Sequence, residues 1–344
     1  MAAKASGPDG SNDRAGESSE LIAPAREVTY SSHDGLALFV RDYGDRASPW
    51  LPVVCLPGLT RSGRDFHDLA VHLSSHRHRP RRVAVFDYRG RGRSQWDENR
   101  DNYTPLVEMA DVFDGMAALG IARAVVVGTS RGGIIGMLMG VARPATVAAL
   151  VLNDIGPAIE PLGLARIKSY VGRTPVPDDW ADAAGIQRRL HGNQFTQWND
   201  ADWDSFARLT YRDVDGGPVG DYDPALANTF DGVDFDQPVP AMWDEFGSLK
   251  AVPVLVIRGE NSDLLSEATV TRMSAVHPRV ESVTVAGEGH PPLLRQPQLL
   301  NRISAFITAT EGASPPPDAV APRAAPSFSL ETTSDVTPDE GGAD

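Results

Sequence analysis

Short runs of Val, Ile and Leu recur along the chain, separated by stretches in which apolar residues return every three or four positions. The runs at 52–56, 82–86, 124–127, 147–152, 254–258 and 282–286 are almost continuously apolar, the pattern of strands covered on both faces of a parallel sheet. Ahead of them, 27–30 and 36–43 read as two antiparallel strands around the turn His33-Asp34-Gly35. Helical periodicity fills 62–73, 106–119, 132–142, 266–276 and 293–308. Strand–helix alternation of this kind predicts an α/β fold, a mostly parallel, doubly wound sheet of eight strands. It breaks once, between Leu152 and Val254, over about a hundred residues, too long for a structureless loop. The prediction is a core of 25–157 and 249–310 with an inserted helical cap at 158–248. No internal repeat is present.

The run 124–127 leads into Gly128-Thr129-Ser130-Arg131-Gly132-Gly133 and then a helix. This is G-x-S-x-G in a strand–turn–helix setting, where the Ser sits on a sharp turn at the carboxyl edge of the sheet. So tight a turn leaves no room for bulk two residues to either side, and Gly128 and Gly132 supply that. The following helix directs its N-terminal N–H groups at charge developing near Ser130. A nucleophilic Ser needs a base, and the base an orienting acid. His290 follows the last run in Gly287-Glu288-Gly289-His290-Pro291-Pro292, and Asp263 lies just beyond 254–258.

The order Ser130, Asp263, His290 along the chain resembles the α/β-hydrolase fold family, in its capped serine hydrolase and esterase branch, over roughly residues 25 to 310. The resemblance implies a triad of Ser130, Asp263 and His290. Asp154, just after the run ending at Leu152, is the competing acid, because some members of the family place it there. It also implies an oxyanion hole made by the N–H groups of Arg131 and, from the turn Leu56-Pro57-Gly58-Leu59-Thr60, of Leu59. The family usually has His-Gly where this chain has Pro57-Gly58, a departure that leaves the backbone donor in place. The segment Asp87-Tyr88-Arg89-Gly90-Arg91-Gly92-Arg93-Ser94 resembles the family's D-x-R-G-x-G-x-S loop, a marker of the fold with a structural role. Ser at the elbow sets the chain apart from haloalkane dehalogenases and epoxide hydrolases, which use Asp there. Meta-cleavage carbon–carbon hydrolases usually follow the His with an aromatic residue, where this chain has Pro291.

Composition adds boundaries. The 344 residues are 41% hydrophobic, enough for a sizeable core, and carry a formal net charge of −14. The ends, 1–24 and 311–344, are rich in Ser, Gly, Pro and Ala and read as disordered tails. Residues 311–344 carry −6, residues 1–20 carry −2 and the predicted cap −9, which leaves the core near +3. An acidic protein with no stretch of about 20 apolar residues is expected to bind neither nucleic acid nor membrane. The ten Arg between Arg61 and Arg100 come without an aromatic platform for bases. His72, His76 and His78 lie at the end of a predicted helix, and a pair at i, i+4 can bind zinc, but there is no acidic partner nearby, so no metal is expected, and no cofactor. The single Cys, Cys55, lies in a buried run and fits a reducing, cytoplasmic setting. Cap aromatics such as Tyr170, Phe195, Phe206, Tyr222 and Phe235 fit either a cap core or a pocket lining. Arg131 has two open roles, a substrate carboxylate clamp or a structural ion pair.

The expectation is a serine hydrolase acting on a small, largely apolar carboxylic ester or lactone through an acyl-enzyme. The alternatives are a carbon–carbon bond hydrolase or enol-lactonase of aromatic catabolism, and, from another class, a non-catalytic ligand receptor of the same fold.

Overall fold

The computed structural model describes residues 25–232 and 239–311; the expected tails, apart from Glu311, and Phe235 lie outside these. The first half runs β1 (Ala25–Ser31), β2 (Ala37–Tyr43), β3 (Val53–Leu56), α1 (His67–Ser74), β4 (Val83–Asp87), α2 (Pro105–Leu119), β5 (Ala124–Thr129), α3 (Arg131–Ala142) and β6 (Val147–Asn153). An insertion follows with α4 (Pro161–Tyr170), α5 (Trp180–His191), α6 (Asp200–Thr210), β7 (Tyr211–Val214), β8 (Gly217–Gly220) and α7 (Trp243–Ser248). The chain then returns through β9 (Val254–Gly259), α8 (Glu267–Val276), β10 (Val280–Val285) and α9 (Pro297–Glu311). The eight-stranded sheet has the order β1-β2-β4-β3-β5-β6-β9-β10. Only the pairs made by β2 are antiparallel.

The apolar runs form strands because both of their faces find cover. Along β3, β5, β6 and β9, alternate side chains point to opposite sides. Val54, Leu56, Val126, Leu150, Leu152 and Val256 join one core with α2, α3 and α8. Val53, Cys55, Val125, Val127, Val151 and Ile257 join the other with α1 and α9. After β4 the chain crosses β3 to continue as β5, so the turns after β3 and β5 lie side by side at the carboxyl edge. That is the switch point at which open α/β sheets bind ligands.

Two features depart from the sequence reading. The last helix extends to Glu311 rather than Thr308, and Glu311 belongs to the core, not to a tail. Its buried carboxylate accepts from Leu51 N at 2.7 Å and from the enclosed Arg81 guanidinium. The insertion is not wholly helical, because β7 and β8 form a hairpin around Asp215 and Gly216, both at positive φ (52° and 86°). Asp-Gly is the dipeptide that such a two-residue turn favours.

The insertion is tied to the loop after β4. Gly92 N donates to Asp221 O at 2.9 Å and Asp223 N to Gly90 O at 2.8 Å. Arg64 pairs with Asp221 at 2.6 Å, and Tyr103 Oη donates to Asp223 Oδ2 at 2.7 Å. Most of the arginines between 61 and 100 are held in such pairs: Arg82 with Asp42, Arg89 with Asp111, Arg91 with Glu108 and Arg100 with Asp223. Among the described residues no helix is long and apolar enough to cross a membrane.

Candidate active site

Ser130 stands between the end of β5 and the start of α3 with φ 50° and ψ −113°, a backbone conformation that costs of order 1–3 kcal/mol unless its surroundings enforce it. Here they do. A Cβ on Gly128 would overlap the backbone of Gly132, and one on Gly132 would overlap the carbonyl of Leu56, so both positions admit only Gly. Ser130 N donates to Asn153 O at 3.0 Å, which ties the turn to the end of β6.

The Ser130 hydroxyl lies 3.0 Å from His290 Nε2. On the far side of the ring, His290 Nδ1 lies 2.8 Å from Asp154 Oδ2, with both side chains buried. The Asp154 carboxylate is held from two further directions: Gly259 N donates to Oδ1 at 2.7 Å, and Ser262 Oγ donates to Oδ2 at 2.5 Å. Asp154 takes φ 57°, which turns its side chain from the end of β6 toward His290. The His290 backbone N–H is held in turn by Gln194 Oε1 of the insertion at 3.2 Å.

Asp263 is not the partner of His290, and the expected triad is corrected at this position. Its carboxylate takes two bonds from Arg166 of α4, at 2.6 and 3.0 Å, while its neighbour Ser262 turns back to Asp154. Burial opposes charge on Asp263, but the Arg166 guanidinium outweighs it and holds the carboxyl below its ordinary range. The acid that reaches the imidazole is the one the sequence offered second. Ser262, Gln194 and Asn153 had no signal of their own, since each works through a contact distant in sequence.

The turn after β3 lies beside the nucleophile: a Cβ on Gly58 would be 4.0 Å from Ser130 Cβ. Leu59, Ser130 and His290 line one cavity of about 330 Å³, and Arg131 is the first residue of α3. The Arg131 side chain points elsewhere, donating to Glu108 Oε2 at 2.7 Å and Tyr103 O at 2.9 Å, the structural of its two open roles. The cavity's far walls come from the insertion, with Ile167, Leu190, Phe195, Phe206 and Tyr222 among them. Several of its aromatics serve both expected purposes, because Phe195 and Phe206 also pack with Trp203 and Leu293 in a small core. Arg61 reaches the cavity already neutralised, bonded to Asp65 at 2.8 and 2.5 Å and stacked 4.6 Å over Phe206.

His191, at the end of α5, lines the same cavity and is 8% exposed. Burial, with the charges of Arg166 and Arg61 nearby, pushes its imidazole down to about 3. An unfolded His titrates near 6.5, so between pH 6.5 and 3 the unfolded chain holds a proton the folded one refuses. Folding is therefore weakened by this residue as pH falls through that window. His191→Phe removes the effect, and its stability relative to wild type should rise by about 3 kcal/mol between pH 7 and pH 4 in denaturant titrations. An unchanged difference would show that His191 is not held neutral.

A fold of this strand order with Ser130 on its elbow defines a class, and comparison with known proteins gives the same one. Residues 53–303 match the alpha/beta hydrolase family model. The chain belongs to that family. It is 32% identical over 279 residues to the 3-hydroxybutyrate-oligomer hydrolase of Cupriavidus necator, covering 78% of this chain and 91% of the relative. It is 29% identical over 258 residues to the 2-(acetamidomethylene)succinate hydrolase of Mesorhizobium japonicum, covering 73% and 86%. Among solved structures, an alpha/beta hydrolase from Novosphingobium aromaticivorans superposes with a TM-score of 0.74 at 37% identity, covering 83% of this chain and 99% of that one. These relatives are hydrolases, which implies a small-molecule substrate.

Proposed function

We propose that the protein is a serine hydrolase that cleaves a carboxylic ester of modest size through an acyl-enzyme. The observation that carries this is the continuous chain of contacts from Ser130 Oγ through His290 to Asp154, at 3.0 and 2.8 Å, opening onto a cavity of about 330 Å³. A cavity of this size suits a small ligand. The similarity to a hydrolase of 3-hydroxybutyrate oligomers supports an ester as the scissile bond.

In this reading His290 Nε2 takes the proton of Ser130 as Oγ attacks the ester carbonyl. Asp154 keeps the other imidazole proton on Nδ1 and stabilises the imidazolium. The N–H groups of Leu59 and Arg131 receive the oxyanion, each donor contributing about 3 kcal/mol to the transition state. The alcohol leaves with the proton from His290, which then takes a proton from water as the water attacks the acyl-enzyme. The acid product departs and Ser130 regains its hydrogen. The insertion acts as a cap that closes the cavity over this chemistry.

A fluorophosphonate probe tests the nucleophile: stoichiometric labelling is expected, and none in Ser130→Ala. An unlabelled wild-type protein would overturn the enzyme reading in favour of a ligand receptor. Rates on p-nitrophenyl esters of graded acyl length, beside an enol-lactone and a vinylogous diketone, test the bond. Turnover of the diketone alone would replace ester cleavage with carbon–carbon cleavage.

A further inference from the structure

We propose that His191 is a specificity-determining hydrogen-bond donor that selects esters carrying a second oxygen acceptor beside the scissile carbonyl, as hydroxy-acid esters do. The inference rests on the ester-hydrolase reading above and names the substrate class of that site.

The cavity is largely apolar, and several of its other polar side chains are engaged by the protein. Arg61 is bonded to Asp65, Gln187 Nε2 donates to Tyr211 Oη at 3.0 Å, Thr174 Oγ1 to Tyr170 O at 3.0 Å, and Tyr222 Oη accepts from Gly172 N at 3.1 Å. His191 differs. Its Nδ1 is enclosed without any partner, and the residue stands in the cavity wall. In the proposal the neutral ring carries its proton on Nε2, so that no N–H is left on the enclosed Nδ1, and the ring in the cavity wall offers that N–H to a ligand. Burial and the neighbouring guanidinium groups keep the ring neutral at working pH. A neutral donor recognises a hydroxyl or carbonyl oxygen without the desolvation cost of a buried charge.

The ring's place is set by its neighbours. Tyr170 and Phe206 meet it edge-on, with centroids 5.5 and 5.8 Å away and planes at 79° and 89°. The backbone is set too: His191 O accepts from Gln194 N at 2.9 Å and Phe195 N at 3.2 Å, and Gln194 Oε1 accepts from the His290 N–H. One short turn thus connects the proposed recognition donor to the loop that carries the base. The span between the second oxygen and the scissile carbonyl is thereby restricted, which is what a selective site requires.

The test compares a dimeric 3-hydroxy-acid ester with two isosteres, one with methyl in place of the acyl hydroxyl and one with isopropyl in place of the alcohol-side carboxylate. In the wild type, one of the two replacements is expected to lower kcat/KM by about tenfold or more, the worth of one neutral hydrogen bond. In His191→Phe that penalty should vanish, because the rate on the hydroxy-acid ester falls to that of its isostere. His191→Gln, which keeps a donor at the Nε2 position, should restore part of the preference. The inference is overturned if neither replacement costs the wild type anything, a result that needs no variant to fold. It is overturned equally if the penalty survives in His191→Phe, or if all three esters slow in parallel there. A wild-type protein that is neither labelled nor active on any of the esters removes the ester reading itself, and this inference with it.

Discussion

Asp154→Asn is expected to lower kcat by roughly four orders of magnitude without unfolding the protein, whereas Asp263→Asn should cost less than about tenfold. The asymmetry follows from what each carboxylate touches. Asp154 accepts from His290 Nδ1 at 2.8 Å, from Gly259 N and from Ser262 Oγ. Asn is nearly isosteric, so the site keeps its shape, but an amide nitrogen facing Nδ1 favours the wrong imidazole tautomer and leaves the developing imidazolium uncompensated. Asp263 is engaged by Arg166, and its loss leaves the His290 contact intact. Steady-state rates on any ester the wild type turns over decide the matter. A thousandfold loss in the Asp263 variant, with Asp154→Asn near wild type, would return the role to Asp263.

The largest stability effect is expected at Glu108, in α2. Its carboxylate lies between two guanidinium groups, 2.7 Å from Arg131 Nε and 2.7 Å from Arg91 Nη1, and it is wholly enclosed. Burial by itself would raise the carboxyl, but Arg131 and Arg91 outweigh it and hold Glu108 ionised, below its ordinary range. Glu108→Ala leaves two buried cations without their anion, a change that costs about 3–5 kcal/mol and, in a chain of this size, about 10 °C in Tm. Activity should fall as well, since Arg131 is the residue after Ser130 and its side chain is anchored by this pair. A loss below about 1 kcal/mol by chemical denaturation would show that the cluster relaxes into solvent.

The strands were legible because their signal is local. Runs such as Val53–Leu56 and Val254–Gly259 are apolar on both alternations, and the sheet covers both. Ser130 and His290 were legible for the same reason, since the glycine spacing around one and the loop after β10 around the other lie within a few residues. The choice of acid was not. Asp154 and Asp263 both follow strands at the carboxyl edge, and what separates them is Arg166, a residue of the insertion whose nearness to Asp263 depends on the fold of α4. The β7–β8 hairpin has a local signal in Asp215-Gly216, inside an insertion expected to be helical as a whole. Glu311 reads as tail from its neighbours in sequence, and only the closed fold brings Arg81 to it.

Tyr222 occupies an unusual position among the cavity residues. Its backbone bridges to Arg91, and the residues to either side are those that dock the insertion, Asp221 to Arg64 and Asp223 to Tyr103. The side chain lines the cavity and, among the described residues, bonds only within the insertion, to Gly172 N, while the fastening to the core is done by its neighbours and the main chain. Lining of the cavity and attachment of the insertion are therefore assigned to different residues within a three-residue segment. Position 222 is a point at which the cavity can be reshaped, by laboratory selection or by natural drift, while the attachments on either side stay in place.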